Sequence, residues 1–242
     1  MKKVILDTIQ EQNRRVAEDM AEYIRNHPGV LVCLAAGDTP LGAYAELVKL
    51  HKAGKVDLNS IYYVGLDEWV GLGYETRGSC MQLMYDTLYG AAGIDEERCV
   101  VWNGKCEDPQ AEIRRITDFI HSHGHIDFTL LGIGMNGHIG FNEPGTGLPE
   151  GGILVDLDET TKSVSKKYFD TPLPVRLGVG VGVGAGELKK ADTIYLMANE
   201  ARKAQIVARV VNEPATPAVP ASMLMDHANL TFYLDKDAAA LL

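Results

Sequence analysis

An imidazole, a carboxylate and two amides crowd into one short stretch, Gly132-Ile-Gly-Met-Asn-Gly-His-Ile-Gly-Phe-Asn-Glu-Pro-Gly145, which contains Asn136, His138, Asn142 and Glu143. An imidazole trades protons near neutral pH, and a neighbouring carboxylate can orient it or take a proton itself. The apolar run Ile126 to Leu131 precedes the stretch and reads as a buried strand. Open α/β sheets bind their ligands at the carboxyl ends of such strands, which makes this loop the expected active site.

Two other strand ends carry ionisable groups. The run Ile61 to Leu66 delivers Asp67 and Glu68, which read either as a general acid and base or as ordinary loop acids. The run Val30 to Ala36 leads into Gly37-Asp38-Thr39-Pro40, where Thr39 can cap a helix and Pro40 can occupy its first position. Strand, glycine turn and helix N-terminus make an anion site, although a plain strand-to-helix turn would look the same. Lys203 falls in the first turn of a helix with Asn199 as its candidate cap. The helix dipole disfavours a cation there unless an anion binds nearby.

Gly132-x-Gly134-x-x-Gly137, with Asp156 downstream, also matches a dinucleotide-binding fingerprint. That fingerprint needs a helix directly after the glycines. Here Gly140, Pro144, Gly145, Gly147, Pro149, Gly151 and Gly152 keep one from forming, so no nicotinamide cofactor is expected. The glycines serve instead to let backbone approach a ligand.

Helices and strands must place these groups. Thr8-x-x-Glu11 is a capping box, and Val16, Met20, Tyr23 and Ile24 behind it give helical spacing up to His27-Pro28-Gly29. Further helices are read from Thr39 to about Ala53, around Ser79 to Tyr89, and from Pro109 to His123. His121, His123 and His125 near the end of the last have no acidic partner at metal-ligand spacing and read as surface groups. Leu177 to Gly186 alternates glycine with valine, a period-two pattern that fits a strand with one nearly bare face. Thr193 to Ala198 and Leu230 to Leu234 are further buried strands, the latter closing the sheet before a helical tail. The expected fold is α/β, a single domain over residues 1–242 with a mostly parallel sheet covered by helices on both faces.

The formal net charge is -10, and the basic residues are scattered. That argues against nucleic acid as a partner, and an anionic small molecule would need a local cationic pocket. No apolar run reaches the roughly eighteen residues of a membrane span, and the start of the chain lacks a signal peptide, so a cytoplasmic location is expected. The four cysteines show neither CxxC pairing nor zinc spacing and read as reduced thiols. A homo-oligomer is left open.

With Gly-Leu-Asp67-Glu68-Trp-Val-Gly-Leu72 and the Gly134 to Pro144 loop in view, the chain resembles the glucosamine-6-phosphate deaminase and galactosamine-6-phosphate isomerase family nearly end to end. Thr39-Pro40, Asn103-Gly104, Lys203-Ala204 and Val219-Pro220-Ala221-Ser222 fall in order with them. The resemblance implies a modified Rossmann-like fold and conversion of an amino-sugar 6-phosphate and water to a ketose 6-phosphate and ammonia, without redox cofactor or metal. It gives Asp67 the enolisation proton, His138 the opening of the sugar ring, and Glu143, beside Asn136, the orientation of the histidine. Gly37, Asp38, Thr39, Lys167 and Lys203 fall at phosphate-binding positions. The chain departs from the family pattern at Asn136, an aspartate in some members, at Asp38, usually glycine, and at Lys167, usually arginine. Trp69 and Gly78-Ser79-Cys80 look more like the galactosamine branch. Two rival readings are a hydrolase of the 6-phosphogluconolactonase type and a sugar-phosphate sensor. Lactone opening needs no enolisation carboxylate, and the residues before Val30 are too few for the helix-turn-helix of a regulator.

Overall fold

Near-continuous apolar strands need cover on both faces, and the chain wraps a sheet accordingly. The computed structural model describes residues 1–165 and 178–242. The chain enters through β1 (Lys2–Leu6) and α1 (Ile9–Asn26). Thr8 caps α1 by accepting from the Glu11 backbone N–H at 3.2 Å, as the capping box requires. Next come β2 (Leu31–Leu34), α2 (Asp38–Lys52), β3 (Tyr62–Gly65) and a short β4 (Asp67–Trp69). Ser79 caps α3 (Cys80–Met84), which continues through a π-helical turn into α4 (Gly90–Ala92). The chain then forms β5 (Cys99–Val100), α5 (Pro109–Ser122), β6 (Phe128–Gly132), β7 (Gly152–Asp156) and α6 (Glu159–Ser165). It ends with β8 (Val179–Val183), α7 (Ala185–Lys189), β9 (Thr193–Ala198), α8 (Ala204–Asn212) and β10 (Leu230–Asp235).

Among the described residues seven strands form a parallel sheet in the order β1-β10-β9-β6-β2-β3-β5. Alternate residues of one strand feed opposite faces. Val32 and Leu34 pack with Val16, Met20, Tyr44 and Leu47 of α1 and α2, whereas Leu31 and Cys33 join Ile116, Ile120 and Val207 of α5 and α8. Burying each such aliphatic side chain contributes about 1.5–3 kcal/mol. Among the described residues no helix is long and apolar enough to cross a membrane, and the four cysteines are free thiols.

Several expectations change. A second, antiparallel sheet, β4-β8-β7, lies over the ligand edge, and the glycine-valine stretch is its central strand. β10 is not the sheet edge, because Lys2–Leu6 pairs outside it. The start of α2 lies two residues earlier than the Thr39-Pro40 reading, with Gly37 as extended cap and Asp38 in the first turn. Asn199 caps nothing; Glu200 precedes a 3-10 turn, Ala201–Lys203, that leads into α8. After β10 the chain forms turns rather than a helix.

Candidate active site

β3 ends at Gly65, and the chain crosses into the second sheet so that Asp67 pairs with Gly182 of β8. A Cβ added to Gly182 would lie 3.0 Å from the Asp67 Cβ, so the bare glycine face gives the carboxylate its place. Gly180 does the same for Phe141, whose ring packs edge-on against Trp69 at 4.8 Å. Asp67 is only 8% exposed; burial pushes its carboxyl up to about 7, partly offset by a hydrogen bond from the Cys80 thiol.

Glu68 has a different task from its neighbour. Its carboxylate accepts backbone N–H groups of Trp69 at 2.8 Å, Cys80 at 3.1 Å and Met81 at 2.8 Å, which anchors the start of α3. Burial pushes Glu68 up to about 8 in spite of those donors. Of the acid pair read from sequence, only Asp67 lines the cavity, and Glu68 holds Cys80 beside it.

The loop after β6 is tied to itself. Gly134 N donates to His138 O at 2.9 Å, His138 N donates to Asn136 Oδ1 at 3.1 Å, and Asn142 Nδ2 reaches Val183 O at 2.9 Å. No helix follows the glycines, as expected. His138 Nδ1 stands 3.0 Å from Thr161 Oγ1 and 3.5 Å from Glu143 Oε2. Glu143 also accepts from Asn136 Nδ2 at 3.0 Å. Burial opposes a charge on Glu143, yet His138, Thr161 and Asn136 together hold its carboxyl below the usual range. Nδ1 thus faces Thr161 and Glu143, whereas Nε2 lies against Gly134.

These groups meet in a cavity of about 160 Å³. Gly37, Asp38, Thr39, Asp67, His138 and Lys203 all line it. Lys203 is buried, and its Nζ donates to Ile133 O. Asn136 and Glu143 lie behind the wall and act through His138 and its loop. Lys167 lies outside the described residues. Sequence reasoning missed Thr161, which carries no motif of its own, and it gave Arg202 no role although that residue lines the cavity. Trp69 and Phe141 add an apolar wall suited to a sugar face. On the amino side of β6, two of the three histidines, His121 and His125, do have acidic neighbours. His125 Nε2 is 3.2 Å from Asp192 Oδ1, but Asp127 beside them already accepts the Leu31 N–H at 2.7 Å.

Comparison with known proteins gives the family of the chain. The family model for glucosamine-6-phosphate isomerases and 6-phosphogluconolactonase matches residues 6–233. The chain belongs to this family. Among relatives in the glucosamine-6-phosphate isomerase/6-phosphogluconolactonase family, the glucosamine-6-phosphate deaminase of Clostridium perfringens (strain 13 / Type A) is 34% identical over 242 residues, covering 100% of both chains. That of Thermoanaerobacter pseudethanolicus is 33% identical and matches 100% of this chain and 95% of its own. A solved structure described as a monomeric glucosamine-6-phosphate deaminase superposes with a TM-score of 0.94 at 31% identity, covering 100% of each chain. The 6-phosphogluconolactonase from Thermotoga maritima shares the fold at a TM-score of 0.78 and 16% identity, over 97% of this chain and 99% of its own.

Proposed function

We propose that residues 1–242 act as one catalytic domain, a deaminating aldose-ketose isomerase that takes an amino-sugar 6-phosphate and water to a ketose 6-phosphate and ammonia. Glucosamine 6-phosphate is the substrate favoured by the relatives, which are named for it. The observation that carries the reading is the buried Asp67 carboxyl, pushed up to about 7, sharing one cavity with His138. A carboxyl in that range can both take and return a carbon-bound proton near neutral pH.

In this reading His138, oriented by Glu143 and Thr161, moves the proton of the C1 hydroxyl to the ring oxygen and opens the pyranose. Asp67 then abstracts the C2 proton while the C1 oxygen takes one from solvent, giving an enolamine. Return of the proton from Asp67 to C1 leaves an iminium at C2. Water adds to that carbon and passes one proton to the nitrogen; the carbinolamine then loses its hydroxyl proton to solvent as the C2–N bond breaks with its electron pair on nitrogen, giving the ketone and ammonia. The N-terminus of α2 at Gly37 to Thr39, with Lys203 and Lys167, holds the phosphate.

Galactosamine 6-phosphate is the second substrate to consider, because Trp69 and Cys80, which favour that branch by resemblance, both line the cavity. A lactonase reading is supported by the fold and by a family model that spans both activities, but it gives Asp67 nothing to do. Ammonia release measured side by side on glucosamine 6-phosphate and galactosamine 6-phosphate tests the proposal. Release from neither sugar would refute it, and the ratio of kcat/KM assigns the epimer.

A further inference from the structure

Glu200 is the non-glycine residue at positive φ among the described residues, with φ 71° and ψ 146°. That corner of backbone space is close to glycine-only, and a residue with a side chain stays there only when its surroundings hold it. They do. Glu200 N donates to both carboxylate oxygens of Asp235 at 3.2 Å, and Glu200 O accepts from Lys203 N at 2.9 Å. The consequence is that the Glu200 carboxylate lies 2.5 Å from Arg202 Nε.

Arg202 lines the same cavity as Lys203, Thr39 and Asp38. A phosphate monoester brings about two negative charges at neutral pH, into a cavity that already holds Asp38 and Asp67. Lys203 spends one of its donors on Ile133 O. Arg202 offers a planar fork that matches two phosphate oxygens at once, which an ammonium cannot.

We propose that Arg202 is a phosphate ligand of this cavity and that Glu200 is its placeholder, an internal anion that holds the guanidinium until a phosphate monoester exchanges for it. The proposal rests on the sugar-phosphate reading of the site. Both side chains are about half exposed, so their pairing contributes little to stability and can be exchanged readily. The strained backbone at Glu200 keeps the competitor in place, and the competition sets how tightly the site holds phosphate.

Calorimetric titration of the full chain with inorganic phosphate tests this without reference to turnover. Arg202→Ala should weaken phosphate binding about tenfold and raise KM for the sugar phosphate in proportion, with kcat little changed; Arg202→Lys should recover only part of the loss. Glu200→Gln, which removes the competing charge, should tighten phosphate binding severalfold. Glu200→Gly should do the same and raise the melting temperature by relieving the backbone. Unchanged phosphate affinity in Arg202→Ala, or weaker binding in Glu200→Gln, overturns the proposal. Should Arg202→Ala fold poorly, Glu200→Gln decides alone. Phosphate binding that depends on Arg202 in a protein that deaminates neither sugar would sink the reaction reading and leave this one standing; deamination with phosphate affinity indifferent to Arg202 does the reverse.

Discussion

Gly182 stands opposite Asp67 in the antiparallel ladder of β4 and β8, and its missing side chain makes the room that the Asp67 carboxyl occupies. A Cβ there would also lie 3.0 Å from the Leu66 carbonyl, which is backbone and cannot swing aside. Gly182→Ala should therefore displace Asp67 and cost about 1–3 kcal/mol of stability, with a loss in kcat of at least ~10-fold. Steady-state kinetics beside urea unfolding checks it. Wild-type kcat in a folded variant would show that β8 does not fix the carboxylate.

Asp67→Asn should abolish exchange of the substrate C2 proton with solvent while the protein stays folded. In the wild type, exchange should rise as pH passes about 7, since only the ionised carboxyl is a base. Stability runs the other way. A carboxyl raised above its unfolded value of 3.8 contributes stability that is present below that pH and lost as pH climbs to about 7. Unfolding measured from pH 4 to 8 should thus show Asp67→Asn gaining on the wild type, by roughly 2–4 kcal/mol at most.

Removing the support of His138 should slow the step before enolisation. Glu143→Gln and Thr161→Val each take away one partner of Nδ1, and a kcat lower by about 10–100-fold is expected for Glu143→Gln, with a smaller loss for Thr161→Val. Glu143 is held below its ordinary value, so its contribution to stability is present above about pH 4.5 and lost as pH falls further. Acid unfolding should be steeper in the wild type than in Glu143→Gln. Identical acid profiles would remove the ion pair from the account.

Lys203→Ala should raise KM for a phosphorylated sugar by ~10-fold or more and leave the unphosphorylated sugar nearly untouched. Comparable losses on both sugars would mean that Lys203 serves the fold, through Ile133 O, rather than the phosphate.

Asp38 lines the cavity at the first turn of α2, where two like charges about 4 Å apart would repel by roughly 4 kcal/mol at an effective dielectric near 20. Asp38→Gly should tighten binding of every sugar phosphate if Asp38 merely weakens the phosphate site. Selective loss of one epimer would make it a hydroxyl-reading specificity residue. Affinities unchanged for all sugars would exclude both roles.

The strand ends that carry Asp67, His138 and Thr39 could be read from apolar runs alone, because a strand buried on both faces has few other compositions. The glycine-valine alternation announced a bare face, but not its occupants. Asp67 and Phe141 come from distant segments, and an antiparallel pairing across such a separation leaves no local pattern. β1 escaped because Lys2 and Lys3 look like a solvated lead-in, yet lysines are what an edge strand tolerates. Thr161 and Arg202 sit on short helical turns whose spacing says nothing about the cavity. Thr39 lost the cap because the extended backbone of Gly37 starts α2 earlier and places an acid in its first turn, where the dipole favours it.

The strand order has a further consequence for how the chain assembles as it is made. β2, β3, β5 and β6 are neighbours and can pair while the rest is still on the ribosome, but Lys2–Leu6 has its ladder partner only in Leu230–Asp235. The buried amide of Gln12 in α1 donates to Ala198 O and Tyr233 O, both at 2.9 Å. Those carbonyls belong to β9 and β10 and emerge long after α1. The Gln12 amide is therefore left to water until those strands arrive, and the contacts that join α1 and β1 to the sheet are of long sequence separation.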